Sequence, residues 1–545
     1  MSNAQQLTES PITRSQWAIV LAAAIALHAC GLWRPLIDRH DWGSAHQAQF
    51  GRNHLRYGLA ETKGRCVYSK FQRERADARR FYPDHPPMLS LALAASMSVF
   101  GVNDVAVRMV PAVSTVAAVV LTISIAAGLF GRRVGLYSGV VMLALPIFLY
   151  FGRTGCHETL VLPFCLLSMR GYLGWSYPDR FGNRARRDAA VFAIATVLST
   201  LAGWVALLQA GVIWLHFVAS VWKKKLQGDV ACWLLKTMPA LVGACLTALH
   251  ILWTLNWQVG HLYELFAYRS GIKESEKLLT MDIWLVQQGL WLLRDFGAVS
   301  LTVIVAGFLI GLLQKLRQPS TREKKSARKV RRVQRAAEDQ PDRRVSKVMA
   351  WFWLLGMPGL LFVMIFRSAS LIHEYWWLHF APFLAMLVAE GLVRIESALS
   401  SASAPVGAIV AAGLAVGIAL EGASEKTIFH HRRRLPAGAY LACQHIADNA
   451  PTNAVVFGNR QLWATRSYYE GRVRFLHPQF CWYLDRMYHY AASEHEIRAI
   501  APKCEYYLWV GFSDQKRELA DKLRQMGRIV REWPNAIIFD LTKKP

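Results

Sequence analysis

Eleven apolar runs, most of them long enough to cross a bilayer, constrain this chain more than any other feature, because about 20 consecutive apolar residues span roughly 30 Å of hydrocarbon. They lie near residues 16–36, 106–130, 134–151, 159–174, 189–203, 205–222, 233–255, 297–314, 348–366, 376–394 and 405–421. With 53% hydrophobic residues and a mean hydropathy of +0.21 over 545 residues, the apolar content sits in runs rather than in amphipathic stripes. That excludes a single soluble core.

The formal charge of +26 has an explanation that does not involve nucleic acid: Lys and Arg collect in short cytoplasmic loops of membrane proteins and set their orientation. With the N-terminus inside, every second exit falls at Arg132-Arg133, at Arg180 to Arg187, at Lys223-Lys224-Lys225, within 315–347, and at Arg394. The loop 315–347 carries Lys324-Lys325, Arg328-Lys329, Arg331-Arg332 and Arg343-Arg344 and anchors this threading. Nucleic acid is therefore not an expected partner, and the bilayer is. The segment 88–100 is too short to span and lies between Pro86-Pro87 and Gly101, so it is expected as an interfacial helix inside a first outer loop of residues 38–105. Leu27-His28-Ala29-Cys30 has the look of a lipoprotein cleavage box, but His28 is wrong for one and a retained first helix is expected.

Beyond about Ala423 the long apolar runs stop. Strand candidates at 454–457, 506–510 and 536–541 alternate with amphipathic stretches at 437–449 and 515–526, which predicts an α/β domain over 423–545 behind a membrane domain over 1–422. The threading places it on the periplasmic, extracytoplasmic face of a plasma membrane or bacterial inner membrane. No GxGxxG loop supports dinucleotide binding. Nine cysteines show no zinc-finger spacing. Cys66, Cys443, Cys481 and Cys504 fall in the expected oxidising compartment, where one or two disulfides are open to them.

The polar residues of interest gather on the same predicted face. Asp41 follows the first run, Arg56 and His85 stand in the first loop, Arg153 and His157-Glu158 lie between the third and fourth runs, and Arg367, His373 and Tyr375 follow the ninth. Ionisable groups at span ends mark a site, since they are costly within hydrocarbon. Transfer of a sugar from a polyprenyl phosphate to an acceptor hydroxyl or phosphate uses such a set: a carboxylate takes the acceptor proton and cations stabilise the departing phosphate. Asp41 is the first candidate base and Glu158 the second carboxylate. Arg56, Arg153 and Arg367 are candidate phosphate partners, and Asp41, Glu158 and His85 are compatible with a divalent metal ion.

These residues, taken in order, resemble a known superfamily. Asp41, His85-Pro86-Pro87 with an apolar helix ending Phe100-Gly101, Arg108-Met109-Val110-Pro111, Gly131-Arg132-Arg133-Val134-Gly135-Leu136, Pro146, Arg153 with Glu158, and His373-Glu374-Tyr375-Trp376-Trp377 followed by Pro382 resemble the GT-C glycosyltransferases. Within that superfamily the protein O-mannosyltransferase and lipid A aminoarabinose transferase branch is the nearest. The resemblance implies a polytopic helical membrane transferase that takes a sugar from undecaprenyl or dolichyl phosphate as donor and passes it to a lipid, glycan or protein acceptor. It puts Asp41 as the catalytic first-loop carboxylate, Glu158 as the second acidic residue, and His373 and Tyr375 near the carrier phosphate. Trp42 and His157-Glu158 depart from the usual residues at their positions and bear on the acceptor and on any metal. Two other classes stay open: a transporter or flippase, for which no inverted repeat is found, and a non-catalytic assembly protein of envelope polysaccharide, which would not need Asp41.

Overall fold

The computed structural model describes residues 12–38, 40–67, 81–82, 85–223, 230–257, 259–272, 280–316, 346–371, 373–400, 404–431, 435–459, 478–511, 517–543 and 545. The basic stretch 317–345, Arg39, Lys224-Lys225 and the Cys481 side chain lie outside them.

The helices, in chain order, are α1 (Arg14–Ala29), α2 (Asp41–Tyr57), α3 (Met88–Phe100), α4 (Asp104–Phe130), α5 (Arg132–Ala144), α6 (Pro146–Phe151), α7 (His157–Ser176), α8 (Ala185–Ala202), α9 (Val205–Trp222), α10 (Val230–Thr254), α11 (Val259–Ser270), α12 (Met281–Phe296), α13 (Ala298–Leu316), α14 (Met357–Ile365), α15 (Ala381–Ser400) and α16 (Ala404–His431). Five segments are long and apolar enough to cross a membrane, among the described residues and by length and composition alone: Asp104–Phe130, Val205–Trp222, Cys232–Thr254, Ala298–Leu316 and Pro405–Ser424. Met88–Phe100 is a shorter apolar helix.

Several boundaries differ from the sequence expectation for identifiable reasons. The run 134–151 is two helices, because Leu145, held extended at φ −60° and ψ 131° before Pro146, cannot continue α5. The run 348–366 is broken into the turns Met349–Trp351 and Phe352–Leu355 before α14. The run 376–394 begins with a 3-10 segment, Glu374–His379, and becomes α-helical only at Ala381. The helices α2, α11 and α12 were not expected, because their apolar residues are interrupted by charges. Close helix approach is set by small residues: a Cβ added to Gly307 would meet the Gly391 Cα at 2.5 Å, so α13 and α15 cross at a glycine pair that admits no side chain.

The C-terminal part continues with helices α17 (Ala437–Asn449), α18 (Pro478–Leu484), α19 (Glu494–Ile500) and α20 (Arg517–Met526), around strands β1 (Val455–Gly458), β2 (Met487–Tyr490), β3 (Tyr506–Val510), β4 (Arg528–Trp533) and β5 (Ala536–Asp540). The sheet order is β2-β1-β3-β5-β4, with β2, β1 and β3 parallel and β5 antiparallel to both neighbours. All five β5 residues are buried. One apolar cluster under α17 and α18 packs on one face, and a second, with Ile497, Ala520 and Leu523, on the other. This is the α/β arrangement expected, with β2 and β4 added. Cys66, Cys443 and Cys504 are free thiols, so no disulfide joins them.

The sheet side grips the start of the first loop. Ile37 belongs to its core cluster, the Gln479 amide donates to the Leu36 carbonyl at 2.6 Å, and the Leu36 N–H donates to the Tyr483 hydroxyl. Tyr483 and Trp482 in turn donate to Asp104 at 3.0 and 2.8 Å.

Candidate functional site

Asp41 is the first residue of α2 and is 3% exposed. A carboxylate there meets the positive end of the helix dipole. Both its hydrogen bonds fall on Oδ2, from Arg108 at 2.8 Å and from the Asp38 N–H at 3.1 Å. Burial pushes the carboxyl up from its ordinary range, against the pull of Arg108. Arg108 is also a backbone organiser, donating to the carbonyls of Arg34, Pro35 and Arg153 at 3.0, 3.1 and 3.2 Å. Sequence reasoning quoted Arg108 only as part of a motif; its one-turn spacing from a proline gave no hint of this role.

A second group of side chains lines the space before α7. The His85 and His157 rings stack at 4.1 Å and 16°. The Tyr375 hydroxyl and His373 Nδ1 are 2.7 Å apart, and the His373 ring stacks on Trp376. Glu158, in the first turn of α7, lies beside Trp376 and within the field of Arg269. The same Arg269 charge acts on His85, His157, His373 and Tyr375. Burial, then Arg269, pushes His373 down to about 3, and burial pushes His46 down to about 4. His85 is likewise held well below its ordinary value by burial and by His157. These imidazoles are neutral near pH 7, and Arg269 supplies a positive charge to this group.

His40 joins the two groups. Its ring meets Phe151, Tyr150 and Tyr375 edge-on at 5.0, 5.7 and 6.1 Å, and its Nε2 contacts Glu374. Glu374 continues to Arg294 at 2.6 Å and Arg294 to Asp295 at 2.7 Å. The break at Pro146 is what turns Tyr150 and Phe151 toward His40, since all six residues of α6 are buried.

The expected residues thus divide. Glu158, His85, His157, His373 and Tyr375 come together, and Asp41 stands across His40 from them. Arg367 opens the turn Arg367–Ser370 against α11, near Gly271, and its buried Nε has no acceptor among the described residues. Arg56 instead forms a two-pronged pair with Asp485, at 3.0 and 2.7 Å, and Arg153 is turned to the carbonyls of Cys30 and Leu149. Neither faces Glu158. The metal option for Asp41, Glu158 and His85 does not fit: Asp41 is taken by Arg108, His85 by its stack on His157, and the described residues hold no group of three or more His, Cys, Asp or Glu able to bind an ion. Sequence reasoning missed Arg269 and Arg294, which stand in the last turns of α11 and α12, the elements it did not foresee, and quoted Glu374 only as part of a motif.

The family model described as Dolichyl-phosphate-mannose-protein mannosyltransferase matches residues 84–172. No curated protein matches the chain by sequence. Among solved structures, the fold is similar to ArnT from Cupriavidus metallidurans bound to undecaprenyl phosphate, with 14% identity, a TM-score of 0.61, and coverage of 98% of this chain and 100% of that one. It is also similar to the Archaeoglobus fulgidus oligosaccharyltransferase complex with Zn and sulfate, with 12% identity, a TM-score of 0.55, and coverage of 96% and 73%. The same archaeal enzyme, AglB, in complex with an inhibitory peptide and a dolichol-phosphate, matches at 12% identity and a TM-score of 0.52 over 94% and 72%. Among its described residues the chain therefore carries five helices long and apolar enough to cross a membrane, resembles the mannosyltransferase family over residues 84–172, and shares its fold with ArnT and the archaeal oligosaccharyltransferase.

Proposed function

We propose that this protein is a glycosyltransferase that moves a sugar from a polyprenyl-phosphate carrier to an acceptor hydroxyl or phosphate on the extracytoplasmic face of the membrane. The observation that carries the reading is the fold match along both whole chains to a protein whose structure holds undecaprenyl phosphate; the dolichol-phosphate complex of the archaeal relative supports it.

In this reading the acceptor oxygen attacks the anomeric carbon, the bond from that carbon to the phosphate oxygen breaks, and polyprenyl phosphate leaves. Asp41 Oδ1, the oxygen not engaged by Arg108 or Asp38, takes the acceptor proton. Arg108 holds the carboxylate in place. Arg269 and Arg367 receive the negative charge that develops on the departing phosphate, and the neutral His373 and Tyr375 complete the wall around it. Glu158 orients the acceptor or the sugar from the opposite side. Short of water, such charge stabilisation is stronger than in solution.

The test is transfer from a polyprenyl-phosphate sugar identified by mass spectrometry of the lipid that copurifies with the protein. Asp41→Asn, inserted and folded like the parent, is expected to lower transfer about 10²- to 10⁴-fold, the range of general base catalysis. Full activity in that variant would remove Asp41 from the mechanism. A carrier-free protein that transports substrate without transfer would favour the transporter reading.

A further inference from the structure

Away from Asp41's open oxygen, a groove of about 760 Å³ runs between α1, α5 and the end of α16, a volume in the range that encloses a drug- or lipid-sized ligand. Its long part is apolar, lined by Ile19, Ala23, Leu27, Val140, Leu143 and Ala419. Ile19 is 68% exposed, so this wall faces the bilayer rather than a neighbouring helix. At one end the lining changes to Arg34 and Arg153, and no Asp or Glu lines any part of it.

Among the described residues these two arginines form no ion pair with a carboxylate. The exposed Arg34 side chain makes no hydrogen bond or ion pair among the described residues. Arg153 donates only to the carbonyls of Cys30 and Leu149. The charges of Arg108 and Arg34 act on Arg153 most strongly, ahead of the opposing charge of Asp41. The acids of this region, Asp38, Asp41 and Asp104, act on Arg108. Gly31 lets the pair converge: at φ +88°, a Cβ there would stand 2.9 Å from Arg153 Nη1 and 3.2 Å from Arg34 Cδ. Two adjacent guanidinium groups at the head of an apolar, bilayer-facing groove are complementary to one molecule with an anionic phosphate head and hydrocarbon tails.

We propose that this groove binds an anionic phospholipid of the surrounding bilayer, its phosphate seated between Arg34 and Arg153 and an acyl chain laid along α1 and α5. The site is separate from the group around Arg269. It touches the reaction centre through the backbone, since the carbonyls of Arg34 and Arg153 are the ones Arg108 holds while it binds Asp41, and through the charges of Arg108 and Asp41, which act on Arg153.

The experiment uses the full chain, stripped of lipid in detergent and re-equilibrated with mixed micelles of phosphatidylglycerol and phosphatidylcholine. Native mass spectrometry then counts retained lipid. The parent is expected to retain phosphatidylglycerol in preference, and Arg34→Gln to retain about fivefold less, the loss of one basic residue's attraction at a membrane surface; Arg34→Lys should restore most of it. Ala23→Trp fills the apolar part without altering charge and should expel the lipid while Arg34 remains. Inorganic phosphate in millimolar excess should not displace it. Equal retention of the two lipids, retention unchanged in Arg34→Gln, displacement by phosphate alone, or displacement by equimolar undecaprenyl phosphate would each overturn the proposal, the last by assigning the groove to the carrier. None of these readouts depends on transferase activity.

Discussion

The Arg108 guanidinium reaches Asp41 Oδ2 at 2.8 Å while holding the carbonyls of Arg34, Pro35 and Arg153, so one side chain sets both the charge balance and the position of the first-loop carboxylate. Lysine carries the same charge on a flexible stem without the planar fork. Arg108→Lys is expected to keep the protein folded and lower transfer about a hundredfold, the effect of a misplacement of roughly 1 Å at a reacting group. Arg108→Ala leaves Asp41 buried and unpaired and should cost about 3–5 kcal/mol of stability, read as a lower melting temperature. Parent-like turnover in Arg108→Lys would contradict the positioning role.

Arg269 is the cation that reaches Glu158 and the three histidines before it. If it meets the leaving phosphate, Arg269→Gln should lower kcat/KM by about 10²- to 10³-fold, as loss of one transition-state donor does, with little change in melting temperature. Arg56→Gln, which breaks the pair with Asp485 and a contact with Tyr57, should leave kcat/KM within about threefold, as expected of a partly exposed ion pair. Reversed results would exchange the two roles.

The contact between α18 and the first loop offers a third test. Gln479→Ala leaves the buried Leu36 carbonyl without its donor and is expected to cost about 1–3 kcal/mol. Because Leu36 adjoins Pro35, one of the carbonyls bound by Arg108, turnover should fall together with stability. A variant as stable as the parent and fully active would show the contact to be incidental.

Sidedness is measurable directly. In a cysteine-free background, single cysteines between residues 320 and 345 should react with impermeant reagents only from the cytoplasmic side, and a cysteine at Ser493 only from the opposite side. The reverse pattern would invert the threading derived from the basic loops.

Much of this protein was legible in its sequence because bilayer crossing leaves a long apolar signature. The α4, α9, α10, α13 and α16 segments coincide with runs read directly from hydropathy, and α17 and β3 with an amphipathic stretch and a strand candidate. What escaped was mixed in character. Helix α2 buries ten residues, among them Asp41, Gln47, Gln49, Asn53 and His54, and a polar helix buried against protein looks like a loop in a hydropathy profile. Charges interrupting their apolar residues hid α11 and α12, and with them Arg269 and Arg294. Asp41 and Glu158 were legible as charges at span ends. Their partners were not, because Arg108 lies 67 positions from Asp41 and only the folded chain brings the two together. Arg56, in the first loop, and Arg153, at a span end, drew attention as cations on the same predicted face, and packing gave them other partners.

The break between Leu145 and Pro146 reaches beyond the residues it turns inward. With all of Pro146–Phe151 buried, this element offers lipid only Arg132–Ala144, and 13 residues at 1.5 Å each make about 20 Å, against about 30 Å of hydrocarbon. A bilayer answers such a deficit by thinning locally. A headgroup layer drawn inward beside α5 would approach the end of the groove that Arg34 and Arg153 line.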